Sequence, residues 1–154
     1  MSNLNALSVA VDVASRKRDG ARKVLQDMLA AQQAARAQLD QLEGYARETE
    51  SRWGVKADTA MQPEVMYHHY QFMDRLGHAA GIQAGVVNDQ SDRVEGARRA
   101  LLEAELRLAS LRKAVEQRRN DLDRQQMRRD QKQTDERAAL QYRTASQGPQ
   151  GQEY

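Results

Sequence analysis

Along the first third of the chain, apolar residues return at alternating intervals of four and three. Leu7, Val11, Ala14, Arg18, Ala21, Leu25, Met28, Gln32, Ala35, Leu39, Leu42, Ala46, Thr49 and Trp53 follow one another at that spacing, and only Arg18, Gln32 and Thr49 are polar. A helix with this repeat presents a left-handed coiled-coil seam, with Val11, Leu25 and Leu39 at heptad position a and Leu7, Met28 and Leu42 at d. The pattern predicts a helix over about 4–53.

The periodicity then stops. GVKADTAMQP, Gly54 to Pro63, gathers turn-prone residues and predicts a turn over about 54–62. Pro63 suits the first position of a new helix, where its missing N–H costs nothing, and Glu64 brings negative charge to the positive helix start. From there Met66, Met73, Ala80, Val87, Val94, Leu101, Leu108, Val115 and Leu122 recur every seven residues without a polar interruption. Their d companions, from His69 and Leu76 to Arg118 and Gln125, are more mixed and most apolar between Ala97 and Leu111. A second helix is predicted over about 63–142, the seam fading past Leu122, and the polar ASQGPQGQEY at 145–154 reads as a disordered tail.

Two seam-bearing helices joined by a short break fold most economically into one all-α, antiparallel coiled-coil hairpin, a single domain over 1–144. The second helix is the longer, so part of it must overhang. With the turn near residue 58, Leu4 is expected opposite residue 111, and the chain from about Val115 to Tyr142 projects alone. A parallel dimer through both seams is the structural alternative. Gly20, Gly44, Gly77, Gly81, Gly85 and Gly96 all avoid the seams. The four-residue spacing of Gly77, Gly81 and Gly85 fits either close approach by another backbone or local softness of the helix.

An antiparallel register in which paired residue numbers sum to about 117 sets Tyr45 near Phe72, Leu42 near Leu76 and Gln38 near Ala79. Each trio is spaced i, i+4, i+7 and forms one stripe on its helix. Gln38, Tyr45, Phe72 and Ala79 are all g positions, which flank one another across an antiparallel seam, with Leu42 and Leu76 beneath them. The two stripes make one patch. Its aromatics lie beside the seam, where they are expected to be about half exposed and suited to anchor a partner, although widening the seam is the competing role.

Composition sharpens this picture. Over 154 residues, 30% are charged and only 5% aromatic, the formal charge is +2, and there is no cysteine. Disulfides and thiolate metal sites are thereby excluded, and a reducing, cytoplasmic setting fits. Arg and Lys are interspersed with Asp and Glu rather than gathered on one face, which favours a solvated helix surface over a nucleic-acid stripe. The early run ALSVAVDVA lacks a preceding positive charge, contains Asp12 and runs into RKR, so it reads as amphipathic helix rather than signal peptide. No run approaches the length of a membrane span. His68 and His69 are adjacent, hence about 100° apart on a helix, and neither has an acidic residue four positions on, so no metal or other cofactor is expected. With no cysteine, no glycine-rich phosphate loop and no concave pocket, the chain reads as non-enzymatic.

At these residues the sequence resembles the FliJ family of flagellar type III export. The resemblance extends over nearly the whole chain in length, layout and turn position, and is most specific at Gln38, Leu42, Tyr45, Phe72, Leu76 and Ala79. HYQFMDRL echoes the family's tyrosine, phenylalanine and leucine motif at the start of the second helix, and LDRQQMRRDQKQTDERA is similar to its charged segment closing the long helix. Where the family continues its stripes with a tyrosine and a histidine, this sequence has Thr49 and Gln83.

The resemblance implies a stalk-like coiled coil whose open end enters the hexameric export ATPase, FliI, and whose patch engages the cytoplasmic part of the export gate, FlhA. FliH and export chaperones are further partners it implies. The expected ATPase-binding residues are Arg112, Arg118, Arg119, Arg124, Arg128 and Arg129, and the expected site is the cytoplasmic face of the flagellar basal body. A basic helical nucleic-acid binder and a generic coiled-coil scaffold are the other two classes the residues admit.

Overall fold

The computed structural model describes residues 2–56 and 62–147. It contains two α-helices, α1 from Ser2 to Lys56 and α2 from Pro63 to Ser146, and among the described residues no strand. The fold is an all-α helical hairpin of coiled-coil type. Residues 57–61 of the expected turn and 148–154 of the expected tail lie outside the described residues.

The helix ends follow the expected chemistry. The Gln62 carbonyl accepts from Val65 N at 3.1 Å and Met66 N at 3.3 Å, so Pro63 sits where no N–H is required, with Glu64 in the first turn. Arg143 lies in the last turn, favourably placed against the negative end of the helix dipole, and its carbonyl accepts from Gln147 N at 3.0 Å.

The chain forms two compact units, Ala14–Leu106 and Met1–Val13 with Arg107–Tyr154. In the first, every seam position of α1 from Ala14 to Trp53 is buried or half-buried, as is every a and d residue of α2 from His69 to Ala104. Only Met66, before the seam closes, is exposed. Its buried core is Ala14, Ala35, Leu76, Val87, Val94 and Ala97. Three of these six are alanines. Where Ala35 carries only a methyl group, Gln83 Nε2 on α2 reaches its carbonyl at 2.9 Å.

Polar residues interrupt this seam in its middle. Gln32 Nε2 donates to Ser91 Oγ at 3.0 Å, Ser91 Oγ donates in turn to the Val87 carbonyl at 3.0 Å, and the neighbouring Gln90 Oε1 is buried without a partner. On one flank Arg22 approaches Glu105 at 3.9 Å, a mostly exposed pair worth little to stability.

In the second unit the core narrows to Leu108, 2% exposed, with Leu7, Val11, Leu111, Val115, Arg118 and Leu122 half-buried around it. Ser8 and Val11 share a cleft with Arg112, Val115 and Asp123, and Leu7 shares another with Arg118. Every residue from Asp123 to Gln147 is exposed.

The solitary stretch, exposed throughout, therefore starts just past Leu122, at the edge of the cleft, rather than at Val115. The physical reason is that the seam closes further along α2 than a turn centred near residue 58 gives. The g positions pair as expected, Tyr45 with Phe72, but the seam runs five residues further along α2, with Trp53 on His69. In the second unit Asn3 and Leu7 lie against Arg118, so the neighbour of Leu4 is Arg118 and not residue 111. At the six glycines outside the seams an added Cβ would meet nothing within 4 Å, so among the described residues Gly77, Gly81 and Gly85 accommodate no second backbone.

Candidate partner-binding surface

The first unit brings the six patch residues together. On α1, Gln38, Leu42 and Tyr45 follow one another along a stripe; on α2, the Pro63 start sets the phase that places Phe72, Leu76 and Ala79 beside them. Tyr45 and Phe72 meet edge to face, with ring centroids 5.9 Å apart and planes at 83°. That arrangement sets the positive ring edge of one against the negative face of the other, a contact worth about 0.5–1.5 kcal/mol beyond burial. Both remain open to solvent, at 52% and 42%. Leu76 beneath them is buried, Leu42 and Ala79 are half-buried, and Gln38 is exposed.

Two side chains that complete this surface were not among the expected site residues. Gln83 Nε2 donates to Gln38 Oε1 at 3.2 Å as well as to the Ala35 carbonyl, tying the polar edge of the patch across both helices. Thr49 Oγ1 donates to the Tyr45 carbonyl at 2.8 Å, one turn back along α1. The stripe is closed at these two positions by amide and hydroxyl groups. The heptad frame marks Gln83 and Thr49 as polar seam positions; nothing in it reveals their partners.

Toward the start of α2 the aromatic side chains continue. Trp53 and His69 stack at 4.0 Å with planes 22° apart, and both are half-buried. His68 points elsewhere, toward Tyr67, whose ring centroid lies 6.0 Å away. Tyr67 accepts a hydrogen bond at its hydroxyl from Gln71 Nε2 at 2.9 Å, one turn on. The adjacent histidines diverge as helix geometry requires. Among the described residues no group of three His, Cys, Asp or Glu side chains stands ready to hold a metal ion.

The six arginines belong to the second unit and do not make one surface. Arg118 is half-buried in the seam next to Leu7 and Asn3, while Arg112 and Arg119 line the cleft with Ser8 and Glu116. Only Arg124, Arg128 and Arg129 stand on the solitary stretch. At 100° per residue they fall into three pairs around α2: Arg112 with Arg119, Arg118 with Arg129, and Arg124 with Arg128. Among the described residues none of the six has a carboxylate within 4.0 Å. No described helix is long and apolar enough to cross a membrane.

Comparison with known proteins agrees with this architecture. No curated protein matches the sequence. A solved structure of a Chlamydia trachomatis protein described as a YscO homolog superposes with a TM-score of 0.71 at 17% identity, over 97% of this chain and 96% of that one. At that identity the likeness is one of fold. The profile of the flagellar FliJ protein matches residues 3–147, a span that takes in both helices, the patch and the exposed basic stretch. The chain belongs to the flagellar FliJ protein family, and with it to the components of flagellar type III export.

Proposed function

We infer that this chain is a non-catalytic, stalk-like coiled coil of the flagellar export apparatus, which promotes assembly of the FliI hexamer and couples it to the export gate through the cytoplasmic part of FlhA. It acts on the cytoplasmic face of the basal body, meets the membrane only through its partners, and takes no cofactor. FliH and export chaperones are the further partners this reading includes.

The observation that carries the reading is the exposed Tyr45 and Phe72 pair seated on Leu42 and Leu76. An aromatic pair fixed in one geometry loses little further freedom on binding. Positive charge disposed around α2 supports the ATPase half of the proposal. A helix enclosed by a ring meets neighbours on all sides, whereas a nucleic-acid binder concentrates its base on one face.

The test is a titration of the full chain into purified FliI from the same organism, following hexamer formation by sizing together with nucleotide hydrolysis. Ring formation with raised hydrolysis supports the reading. A folded chain that changes neither leaves a general coiled-coil scaffold as the better account.

A further inference from the structure

The two flanks of the coiled coil in the unit Ala14–Leu106 differ in chemistry. On the flank that carries Tyr45 and Phe72, the register brings Ala31 abreast of Val86, and Ala34 and Ile82 lie just outside them. From 31 to 45 on α1 and 72 to 86 on α2, the ten flank positions include one charged residue, Arg75. The opposite flank, over windows of equal length, carries five: Arg36, Asp40, Glu43, Arg47 and Asp74. Solubility alone would charge both sides alike, so the difference marks a surface.

That surface extends beyond the aromatic pair. Ile82 is 59% exposed and Val86 39%, one and two turns past Ala79, and neither contributes to the buried core. With Tyr45 and Phe72 they present on the order of 400 Å² of apolar area, taking roughly 100 Å² for half of each large side chain. A stable dimer buries about 800 Å² on each partner, so this strip is too small to hold a second copy of the chain. Its extent suits something narrower. Phe72 to Val86 spans fourteen residues, about 21 Å of helix, with apolar residues recurring at g beside the a and d seam. A third apolar column next to a two-helix seam is the surface against which another helix packs.

We propose that this flank receives one amphipathic helix of a partner protein, of about four turns, which lies along Tyr45, Phe72, Ile82 and Val86 as a third member of the coiled coil. Its apolar stripe covers the strip, and an acidic side chain on it faces Arg75. The inference deepens the gate-binding part of the proposed function and rests on it.

The purified cytoplasmic part of FlhA from the same organism is the probe, with affinity read by calorimetry and the contacted segment by hydrogen exchange. The pair Ile82→Asp and Val86→Asp, on exposed positions whose helicity circular dichroism verifies, is expected to weaken binding at least tenfold. Asp40→Lys with Glu43→Lys, on the charged flank, leaves affinity unchanged, and protection in the probe falls on a single amphipathic helix. Loss of binding with Tyr45→Ala and Phe72→Ala but none with the aspartates overturns the inference while leaving the proposed function standing. Failure of the unaltered chain to bind overturns both. Self-association of the chain alone at tens of micromolar, dispersed by Ile82→Asp, makes the occupant a second copy and overturns the proposal.

Discussion

Leu108 shows what a single side chain contributes where a core is only two helices thick. It is 2% exposed, while Leu106, two positions earlier, is 59% exposed. Leu108→Ala is expected to cost about 2–3 kcal/mol, at the lower end for a buried leucine because a narrow seam can collapse around the loss, and Leu106→Ala within about 0.5 kcal/mol. Urea unfolding followed by circular dichroism separates the two; equal midpoints would mean that the second unit does not depend on its seam. At the patch the balance is reversed. Tyr45→Ala removes the edge-to-face contact, at about 0.5–1.5 kcal/mol of stability, but its larger effect is expected in FlhA affinity, which falls at least tenfold. An unchanged affinity on calorimetric titration, with helicity preserved, would remove Tyr45 from the binding surface. Its position beside Phe72 was legible in the sequence because g positions face one another across any antiparallel seam. The Gln83 bridge to Gln38 and Ala35 was not, since it depends on how close its amide comes to the Ala35 carbonyl, which only packing reveals.

Both helices could be read from their heptads to within about four residues at each end, because a seam unbroken by proline leaves few other conformations. Register is a different matter. A heptad repeat looks the same after a seven-residue slip, and a turn placed near residue 58 fixes the register no better than that, so it gave the wrong opposite number for Leu4. The layer at Gln32, Gln90 and Ser91 breaks that degeneracy. A slip by seven would carry these polar groups against apolar residues and strand them, which costs about 1–3 kcal/mol for each group left without a partner. Replacing Gln32 and Gln90 together by leucine is therefore expected to raise the melting temperature, since two half-buried amides give way to apolar side chains in the seam, and to loosen the register. The absence of native cysteine makes this measurable by pairwise cross-linking. Thr49→Cys with Met73→Cys, opposite one another in the native register, is expected to form a disulfide in both backgrounds. Thr49→Cys with Ala80→Cys, one heptad off, is expected to do so only with the leucines present. Cross-linking of the slipped pair in the otherwise native chain would show that the polar layer does not choose the register.

The two proposed activities draw on different parts of the molecule, and this makes them separable. The patch belongs to Ala14–Leu106, whereas the solitary stretch from Asp123 onward belongs to the other unit and buries nothing. Local bonds such as Gln126 to Asp130 at 3.2 Å and Thr134 Oγ1 to the Asp130 carbonyl at 2.8 Å support its helix, but bonds of this kind leave an isolated helix marginal in water. Hydrogen exchange there is accordingly expected to be fast in the free chain and to slow on binding FliI. Truncation after Leu122 removes no buried side chain among the described residues, so the urea midpoint is expected to stay within about 0.5 kcal/mol of that of the whole chain. If Arg124, Arg128 and Arg129 contact the ATPase, the same truncation abolishes hexamer stimulation while FlhA affinity is retained, and Tyr45→Ala with Phe72→Ala does the reverse. A chain carrying either lesion would then fail to couple ATPase to gate for opposite reasons, and a mixture of the two would not restore export, because coupling requires both contacts on one molecule. Restored export from the mixture would mean that ATPase activation and gate engagement are independent services, and would sink the coupling mechanism while leaving both binding assignments in place.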